Sequence, residues 1–387
     1  MIKQITVDEL RPGMFIHKLE VWWIKDKRIR NQMLVTDPRQ IAMLRSEGIQ
    51  RLWIDLNRSV PAPAAPSAAS QPVARTPFFL ELDQAQQIFQ QGKTQVMAMF
   101  NEARLGHRLN LAGTLDLVDE IAGSIRREPT ALLSVARLKN HDDYTYLHSM
   151  AVCGLMITLA QQLGLDDQQV RRVGMGGLLH DVGKAAVPLE ILNKPGKLSD
   201  EEFEVMRQHP VTGVQMLMEA GADEDLLDIA LHHHEKYDGS GYPHRLKGEE
   251  ISLYSRMAAV CDVYDALTST RSYRKGWTPA EAMHNMLNWR GHFDQQILHI
   301  FVRAIGIYPV GSLVRLASGR VALVVKAGER SLLKPVVHAF WSLHAQREVR
   351  PERIDLSDSF CTDSIIGAEE SPLWVNADLN RVWALAS

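Results

Sequence analysis

The chain has 387 residues, of which 45% are hydrophobic and 23% charged, and a formal net charge of -3. This length suits two or three domains, and the composition is that of a soluble globular protein. The small negative charge argues against a general binder of nucleic-acid polymers or anionic membranes, so a polyanionic substrate would need a locally positive site.

The cysteines and the N-terminus indicate a compartment. Cys153, Cys261 and Cys361 are odd in number and far apart, which favours neither a disulfide framework nor a cysteine-rich zinc site. The N-terminus becomes acidic at Asp8 and Glu9 before an apolar stretch of signal-peptide length develops. We therefore expect a cytoplasmic protein.

Residues 1–57 are predicted to form a small α+β module. Apolar runs at 14–16, 21–24 and 52–54 are typical of strands, and the segment from 38 to 48 has helical spacing. The module has no receiver-like acidic pocket and no cofactor signature, so we predict that it regulates the following domain or dimerises it.

Residues 58–78 are rich in Pro, Ala and Ser. Such a segment cannot bury enough apolar surface to order itself, and it is predicted to be a linker. In residues 79–307 helix-forming residues dominate and apolar positions recur at intervals of three and four, which predicts a helical bundle. Its longest uncharged apolar stretch, 149–165, is at the short limit for a membrane span, and we interpret it as a buried core helix.

Residues 308–387 are predicted to form a β-rich extension. A hairpin is indicated by apolar runs at 313–316 and 321–325 around a Ser318-Gly319 turn, and 335–340 has the texture of another strand. The predicted fold class is thus multidomain and mainly α, with a small α+β module before the helical domain and a β-rich extension after it.

Side chains capable of binding metals are concentrated in the helical domain. A single histidine on an apolar helix is more often a satisfied core residue than a ligand. The adjacent residues His180 and Asp181, followed by Gly183 and Lys184, favour metal binding over a core role. Together they form a corner where an imidazole and a carboxylate can reach one metal position. The candidate ligands are His148, His180, Asp181, His209, His233, His234 and Asp262.

Three of these positions have local context. His209 precedes Pro210, which favours the first turn of a helix, although a surface histidine would look the same. Residues 232–234 are three histidines after an apolar stretch; they cannot all face one core, so at least one faces solvent or a metal. Asp262 follows an apolar helical run where an unpaired carboxylate would be costly, which favours a cation partner.

Histidine-rich sites with shared carboxylates suit iron, manganese or zinc better than magnesium. A carboxylate such as Asp181 can bridge two ions. Two ions about 3.5–4 Å apart can activate a water and stabilise an in-line displacement at phosphorus. The pattern therefore favours phosphodiester hydrolysis.

The segment 235–243 follows the histidines directly, and its two glycines permit positive φ or a close backbone approach to a ligand, although it could also be an ordinary turn. Lys184 could neutralise phosphoryl charge, and Arg271 and Arg274 could clamp phosphates bidentately. Each of these three cations could equally be a solvated surface charge.

Taken together, these motifs resemble the HD-GYP family. The resemblance covers residues 140–290 closely, and residues 1–57 resemble an uncharacterised module that often precedes this domain in bacteria. It rests on His148, His180-Asp181-Val182-Gly183-Lys184, Asn193-Lys194-Pro195-Gly196, His209-Pro210, His233-His234-Glu235, the Asp238-Gly239-Ser240-Gly241-Tyr242-Pro243 loop and Asp262-Val263-Tyr264-Asp265.

The resemblance implies that the seven candidate ligands bind iron or manganese, with Asp181 bridging, and that Lys184 contacts the scissile phosphate; Asp181 and Lys184 would be the catalytic residues. It also implies that Tyr242, Arg271 and Arg274 lie around the cyclic dinucleotide. Some relatives hold a third metal with a glutamate where this chain has Tyr144. We therefore expect two divalent metal ions.

The family hydrolyses cyclic di-GMP to linear pGpG and often GMP, and some members prefer other cyclic dinucleotides. The resemblance thus implies a bacterial metal-dependent phosphodiesterase. One alternative is a signalling adaptor whose Gly-Tyr-Pro loop docks partners such as diguanylate cyclases. Another is a nucleotide phosphohydrolase of the broader HD group. The filled ligand positions disfavour the first alternative, and the Gly-Tyr-Pro loop disfavours the second.

Overall fold

A computed structural model describes residues 2–11, 13–19, 32–35, 38–46, 48–55, 58, 78–137, 144–270, 275–328, 331–369 and 382. The chain divides into two compact units, Met1–Pro72 and Val73–Ser387. The strand predicted at 21–24 lies outside the described residues, as does the predicted linker except for its residues 58 and 78.

The first unit contains an antiparallel sheet and one helix. Alternation along the last strand buries Leu52 and Ile54 on one face, where they pack with Ile16 and Leu44. The strand order is β1-β4-β2-β3. The elements are β1 Ile2–Thr6, β2 Phe15–Leu19, β3 Met33–Leu34, α1 Pro38–Ser46 and β4 Arg51–Asp55. The small α+β module is confirmed.

The second unit is helical over most of its length. Within the described residues, two short 3-10 turns, Val182–Ala186 and Gly248–Glu250, interrupt the helices. The helices are α2 Phe78–Arg104, α3 Leu111–Arg127, α4 Pro129–Arg137, α5 Tyr144–Gln162, α6 Asp167–Leu179, α7 Leu189–Leu192, α8 Asp200–Met206, α9 His209–Ala220, α10 Glu224–His232, α11 Leu253–Thr268, α12 Pro279–Asn288 and α13 Gln295–Ile305.

Helix α5 is the centre of the bundle. Its residues 148–160 are all buried, and it packs against α2, α3, α4, α6, α11 and α13. A helix that is apolar on every side requires such surroundings. The prediction of a buried core helix is therefore confirmed for 149–160, whereas the helix ends at Gln162 and residues 161–165 are half-buried or exposed. None of the helices in the described part of the chain has both the length and the apolarity that a bilayer crossing requires.

The end of the second unit is a five-stranded antiparallel sheet with the order β8-β7-β6-β5-β9. The predicted hairpin is present, with Leu313 opposite Leu323 across its two strands. The strands are β5 Leu313–Leu316, β6 Arg320–Lys326, β7 Val336–Ser342, β8 Arg347–Asp355 and β9 Ile365–Ala368. Val314, Val324 and Val337 form part of its core. The predicted β-rich extension is confirmed.

Candidate metal centre

The seven candidate ligands converge in the helical part of the second unit. They form two groups, and within each group the ligand atoms lie within 4.8 Å of one another. The first group consists of His148, His180 and Asp262, and the second group of Asp181, His209, His233 and His234. All except His234 are buried.

Asp181 lies between the two groups. Its Oδ2 is 3.6 Å from Nε2 of His148 and 3.3 Å from Nε2 of His180. Its Oδ1 is 3.2 Å from Nε2 of His209 and 3.7 Å from Nε2 of His233. Each carboxylate oxygen thus faces imidazoles of a different group, which is the arrangement that a bridging ligand requires.

Asp262 also connects the groups. Its Oδ1 is 3.1 Å from Nε2 of His148, while its Oδ2 is 3.8 Å from Nδ1 of His234. Asp262 lies in the middle of α11, within the buried run 257–262. The helix therefore brings a second buried carboxylate to the ligand groups.

A glycine brings the His180-Asp181 pair next to the start of α9. A Cβ atom on Gly183 would lie 1.9 Å from the carbonyl oxygen of His209 and 2.5 Å from the amide nitrogen of Gly213. Only glycine allows the 3-10 turn to pack so closely on that helix. His209 is the first residue of α9, as the following proline predicted.

The three consecutive histidines after α10 divide between two roles. His233 and His234 face the metal-ligand groups. His232 points elsewhere, with Nδ1 2.7 Å from Oδ1 of Asp228 and Nε2 3.0 Å from Nδ1 of His244. The expectation that at least one of these imidazoles avoids the core is confirmed, and His232 ties the helix to the loop that follows.

Hydrogen bonds outside the cluster fix four of the imidazoles. In each, Nδ1 donates to an acceptor, so Nε2 is the nitrogen left to bind a metal. For His148 the acceptor is Oδ2 of Asp265, at 2.6 Å. The other acceptors are carbonyl oxygens: Gly177 for His180 at 2.8 Å, Met206 for His209 at 2.7 Å and Ala230 for His233 at 2.9 Å.

The protonation states suit metal binding. Although burial opposes ionisation, Lys184 and the nearby imidazoles hold the pKa of Asp181 well below its usual range. Burial likewise opposes ionisation of Asp262, but its hydrogen bond with His148 keeps its pKa low. Burial lowers the pKa of His233 to about 4, despite the opposing effect of Asp181. The ionised carboxylates of Asp181 and Asp262 and the neutral imidazole of His233 are anionic and lone-pair donors. At His148, burial opposes ionisation, but the hydrogen bonds with Asp262 and Asp265 raise its pKa.

Two buried atoms at the junction of the groups have no hydrogen-bond partner within the described residues: Nε2 of His180 and Oδ1 of Asp181. Buried polar atoms in proteins are almost always satisfied, so such a pair indicates a missing partner. A cation at the first group would satisfy Nε2 of His180, and a cation at the second group would satisfy Oδ1 of Asp181. Imidazole and carboxylate donors in this combination suit iron, manganese or zinc.

Two of the predicted substrate-contact residues lie beside the groups. The Lys184 ammonium is 2.5 Å from Oδ2 of Asp181 and its side chain is 22% exposed. The ring of Tyr242 lies 4.8 Å from that of His234, between centroids. The other two predicted contacts, Arg271 and Arg274, lie outside the described residues.

The Gly-Tyr-Pro loop is folded onto its own backbone. Gly239 has a φ of +86°, and a Cβ atom on Gly241 would lie 2.3 Å from the amide nitrogen of Lys236. The Glu235 carboxylate accepts a hydrogen bond from the backbone N–H of His244 at 2.7 Å. The two glycines thus serve the predicted conformational roles, but the close approach is to the chain itself.

A cavity of about 310 Å³ adjoins the second group. Its polar lining residues are ligands from both groups, residues of the loop that follows His234, and His292. Its apolar lining residues belong to α11. The lining residues are His233, His234, Glu235, Lys236, Tyr242, Ala259, Asp262, Val263, Ala266, Leu267 and His292. A space of this size matches the lower range of small-molecule sites.

Sequence reasoning missed two residues of this region. Asp265 is one helical turn after Asp262, so the shared helix face could have suggested its contact with the ligand His148. His292 lies far along the chain from the ligand motifs, and no local pattern marks it as a cavity residue.

Comparison with known proteins agrees with this geometry. The family profile described as HD domain matches residues 128–297, and a domain of unknown function, DUF3391, matches residues 2–114. A cyclic di-GMP phosphodiesterase of Pseudomonas aeruginosa is 45% identical over 396 residues, which cover 99% of this chain and 96% of the relative.

Two further relatives match over shorter segments. A cyclic di-GMP phosphodiesterase response regulator of Xanthomonas campestris is 41% identical, over 46% of this chain and 48% of the relative. A 3'3'-cGAMP-specific phosphodiesterase of Vibrio cholerae is 38% identical, over 37% of this chain and 28% of the relative. This chain matches the Pseudomonas aeruginosa enzyme over nearly its full length, and its own histidine-aspartate centre lies beside its own Gly-Tyr-Pro loop. The chain therefore belongs to the HD-GYP family of metal-dependent phosphodiesterases.

Proposed function

We propose that the chain hydrolyses cyclic di-GMP to pGpG, GMP or both, using two iron or manganese ions held by the two ligand groups. The observation that carries this proposal is the placement of Asp181, whose two carboxylate oxygens face imidazoles of different groups. The name of the Pseudomonas aeruginosa relative supports the choice of substrate.

Each side chain has an assigned role in this proposal. His148, His180 and Asp262 would hold one ion and His209, His233 and His234 the other, with Asp181 as a ligand common to both. When bound, two such ions lower the pKa of a water and stabilise the oxyanions of an in-line displacement at phosphorus. Lys184 neutralises charge on the scissile phosphate, since its ammonium lies at Oδ2 of Asp181. Tyr242, Arg271 and Arg274 contact the rest of the substrate.

The test is hydrolysis of cyclic di-GMP by the full chain loaded anaerobically with iron(II) or manganese(II), with bound metal quantified. We expect turnover by the wild type and a loss of at least about a thousandfold in Asp181→Ala, since metal assistance supplies several kcal/mol. The matched control is Asp225→Asn, because Asp225 forms a surface pair with Arg172. Unchanged turnover in Asp181→Ala would contradict the proposed site.

A second candidate substrate follows from the relatives. One of them is named a 3'3'-cGAMP-specific phosphodiesterase, so the same assay includes that dinucleotide. Absence of cyclic di-GMP turnover by a protein carrying two metals, with turnover of the alternative, would transfer the proposal to the other substrate. Absence of both would favour the adaptor function, in which the Gly-Tyr-Pro loop docks diguanylate cyclases or other signalling proteins.

We also propose that residues 1–57 regulate the enzyme or dimerise it, and that the enzyme is cytoplasmic. In the proposed domain organisation, residues 58–78 are a linker, residues 79–307 are the catalytic domain and residues 308–387 are a C-terminal extension. If deletion of residues 1–57 changed neither activity nor assembly, the regulatory or dimerising role would be refuted. Limited proteolysis tests the proposed domain boundaries, and cell fractionation tests the cytoplasmic location.

A further inference from the structure

The cavity beside the second group has a wall that the proposed chemistry leaves unassigned. His233, His234 and Asp262 occupy its metal end. Away from these ligands, the lining includes His292 together with Val263, Ala266 and Leu267 of α11. A polar side chain among apolar neighbours in a ligand-sized space is the usual means of orienting a ligand.

The position of His292 is tied to the ligand loop through the backbone. The amide N–H of Tyr237 donates to the carbonyl oxygen of His292 at 3.0 Å, and that of Asp238 donates to the carbonyl oxygen of Gly291 at 2.8 Å. These residues follow the ligands His233 and His234 within the same loop. The backbone of His292 is therefore attached to the loop that follows these two ligands.

The imidazole of His292 is also held in orientation. Its ring stacks on that of Phe293, with centroids 4.3 Å apart and an interplanar angle of 20°, and on that of Trp289 at 5.4 Å and 23°. Burial and Lys236 lower the pKa of His292 to about 4, against the effect of Asp238. A neutral imidazole offers one donor and one acceptor rather than a positive charge.

These features distinguish the two ends of the cavity. A phosphodiester needs cations, which the ligand groups would attract at the part of the cavity lined by His233, His234 and Asp262, while Lys236 adds a positive charge to the same lining. A purine base needs flat apolar walls and a few donors and acceptors at its edge. The α11 side chains and the neutral imidazole provide both.

We infer that His292 contacts the edge of a purine base of the cyclic dinucleotide and so helps to determine substrate specificity. The inference rests on the proposed function, since it takes a cyclic dinucleotide as the substrate. His292 has no part in the chemical step, and its contribution is confined to binding and orientation of the base.

The experiment compares wild type, His292→Ala and His292→Asn on two substrates, cyclic di-GMP and bis(p-nitrophenyl) phosphate, which carries the phosphodiester without a purine. The matched control is His284→Ala, because His284 is an exposed histidine of α12 outside the cavity lining. We expect His292→Ala to raise KM for cyclic di-GMP about tenfold, the effect of about one hydrogen bond lost, with kcat less affected. Hydrolysis of bis(p-nitrophenyl) phosphate should stay at the wild-type rate, which also shows that the variant folds. His292→Asn should recover part of the affinity.

Equal loss on both substrates, or an unchanged KM for cyclic di-GMP in His292→Ala, would overturn the inference while leaving the proposed function intact. If the wild type binds cyclic di-GMP without hydrolysing it, the proposed function fails separately, and Kd for cyclic di-GMP replaces KM in the comparison. A wild type that does not bind cyclic di-GMP would overturn both.

Discussion

The two ligand groups differ in how the fold supports them. In the first group, His148 and Asp262 lie within helices, and His148 is oriented by the carboxylate of Asp265. In the second group, the histidines lie at the start of α9 and just after the end of α10, and main-chain carbonyls orient His209 and His233. In the first group a side chain orients His148 and a main-chain carbonyl orients His180, whereas in the second group main-chain carbonyls orient both His209 and His233.

The charges around Asp181 differ in the same way. Its Oδ2, which faces the first group, already contacts the Lys184 ammonium. Its Oδ1, which faces the second group, is buried without a hydrogen-bond partner in the described part of the chain. A cation at the first group would therefore share its carboxylate oxygen with another positive charge. We infer that the two metal positions are inequivalent and that the second group binds its ion more tightly.

The largest effect that separates the two groups is expected for Lys184→Met. Turnover of cyclic di-GMP should fall about a hundredfold, the usual cost of removing one group that stabilises charge on the reacting phosphate. Metal affinity at the first group should rise, because a like charge close to Oδ2 has been removed. Steady-state kinetics and metal titration check both effects.

The matched control for this change is Lys197→Met, because Lys197 is exposed. It should leave both quantities unchanged. Weaker metal binding in Lys184→Met would contradict the assignment of Lys184 as a competing charge.

A smaller effect is expected for Asp265→Asn. The carboxylate that orients His148 raises the basicity of that ligand, and loss of such a partner weakens metal affinity about 10–100-fold. The loss should be confined to one of the two ions, since the second group uses carbonyl acceptors that no side-chain substitution removes. Asp225→Asn, at a surface pair, is the control. If metal titration showed an equal loss of affinity for both ions, the two groups would not be supported independently.

The sequence predicted the parts of the centre that local patterns determine. A long uncharged apolar stretch located α5 and an apolar run located α11, and the proline after His209 placed that ligand at a helix start. The three consecutive histidines implied that at least one leaves the core. The pattern could not say which one, because His232 is drawn away by Asp228 and by His244 in a loop that folds back.

The remainder depends on contacts between distant segments. Asp265 meets His148 across 117 residues of sequence, so its role as an orienting partner appears only when α5 and α11 are packed. Gly183 is required because α9 lies against it, a closeness that no pattern within the turn encodes. His292 becomes a cavity residue through backbone hydrogen bonds to the loop after the second group. Periodicity and motif spacing carry no information on such approaches.

The most direct test of the central claim is the electron paramagnetic resonance spectrum of the full chain loaded with manganese(II), with the metal-to-protein ratio determined on the same sample. A carboxylate shared between the two groups predicts about two ions per chain and the spectrum of an exchange-coupled pair. In Asp181→Ala the coupling should disappear. One ion per chain, or two ions with uncoupled signals in the wild type, would contradict the bridging role of Asp181.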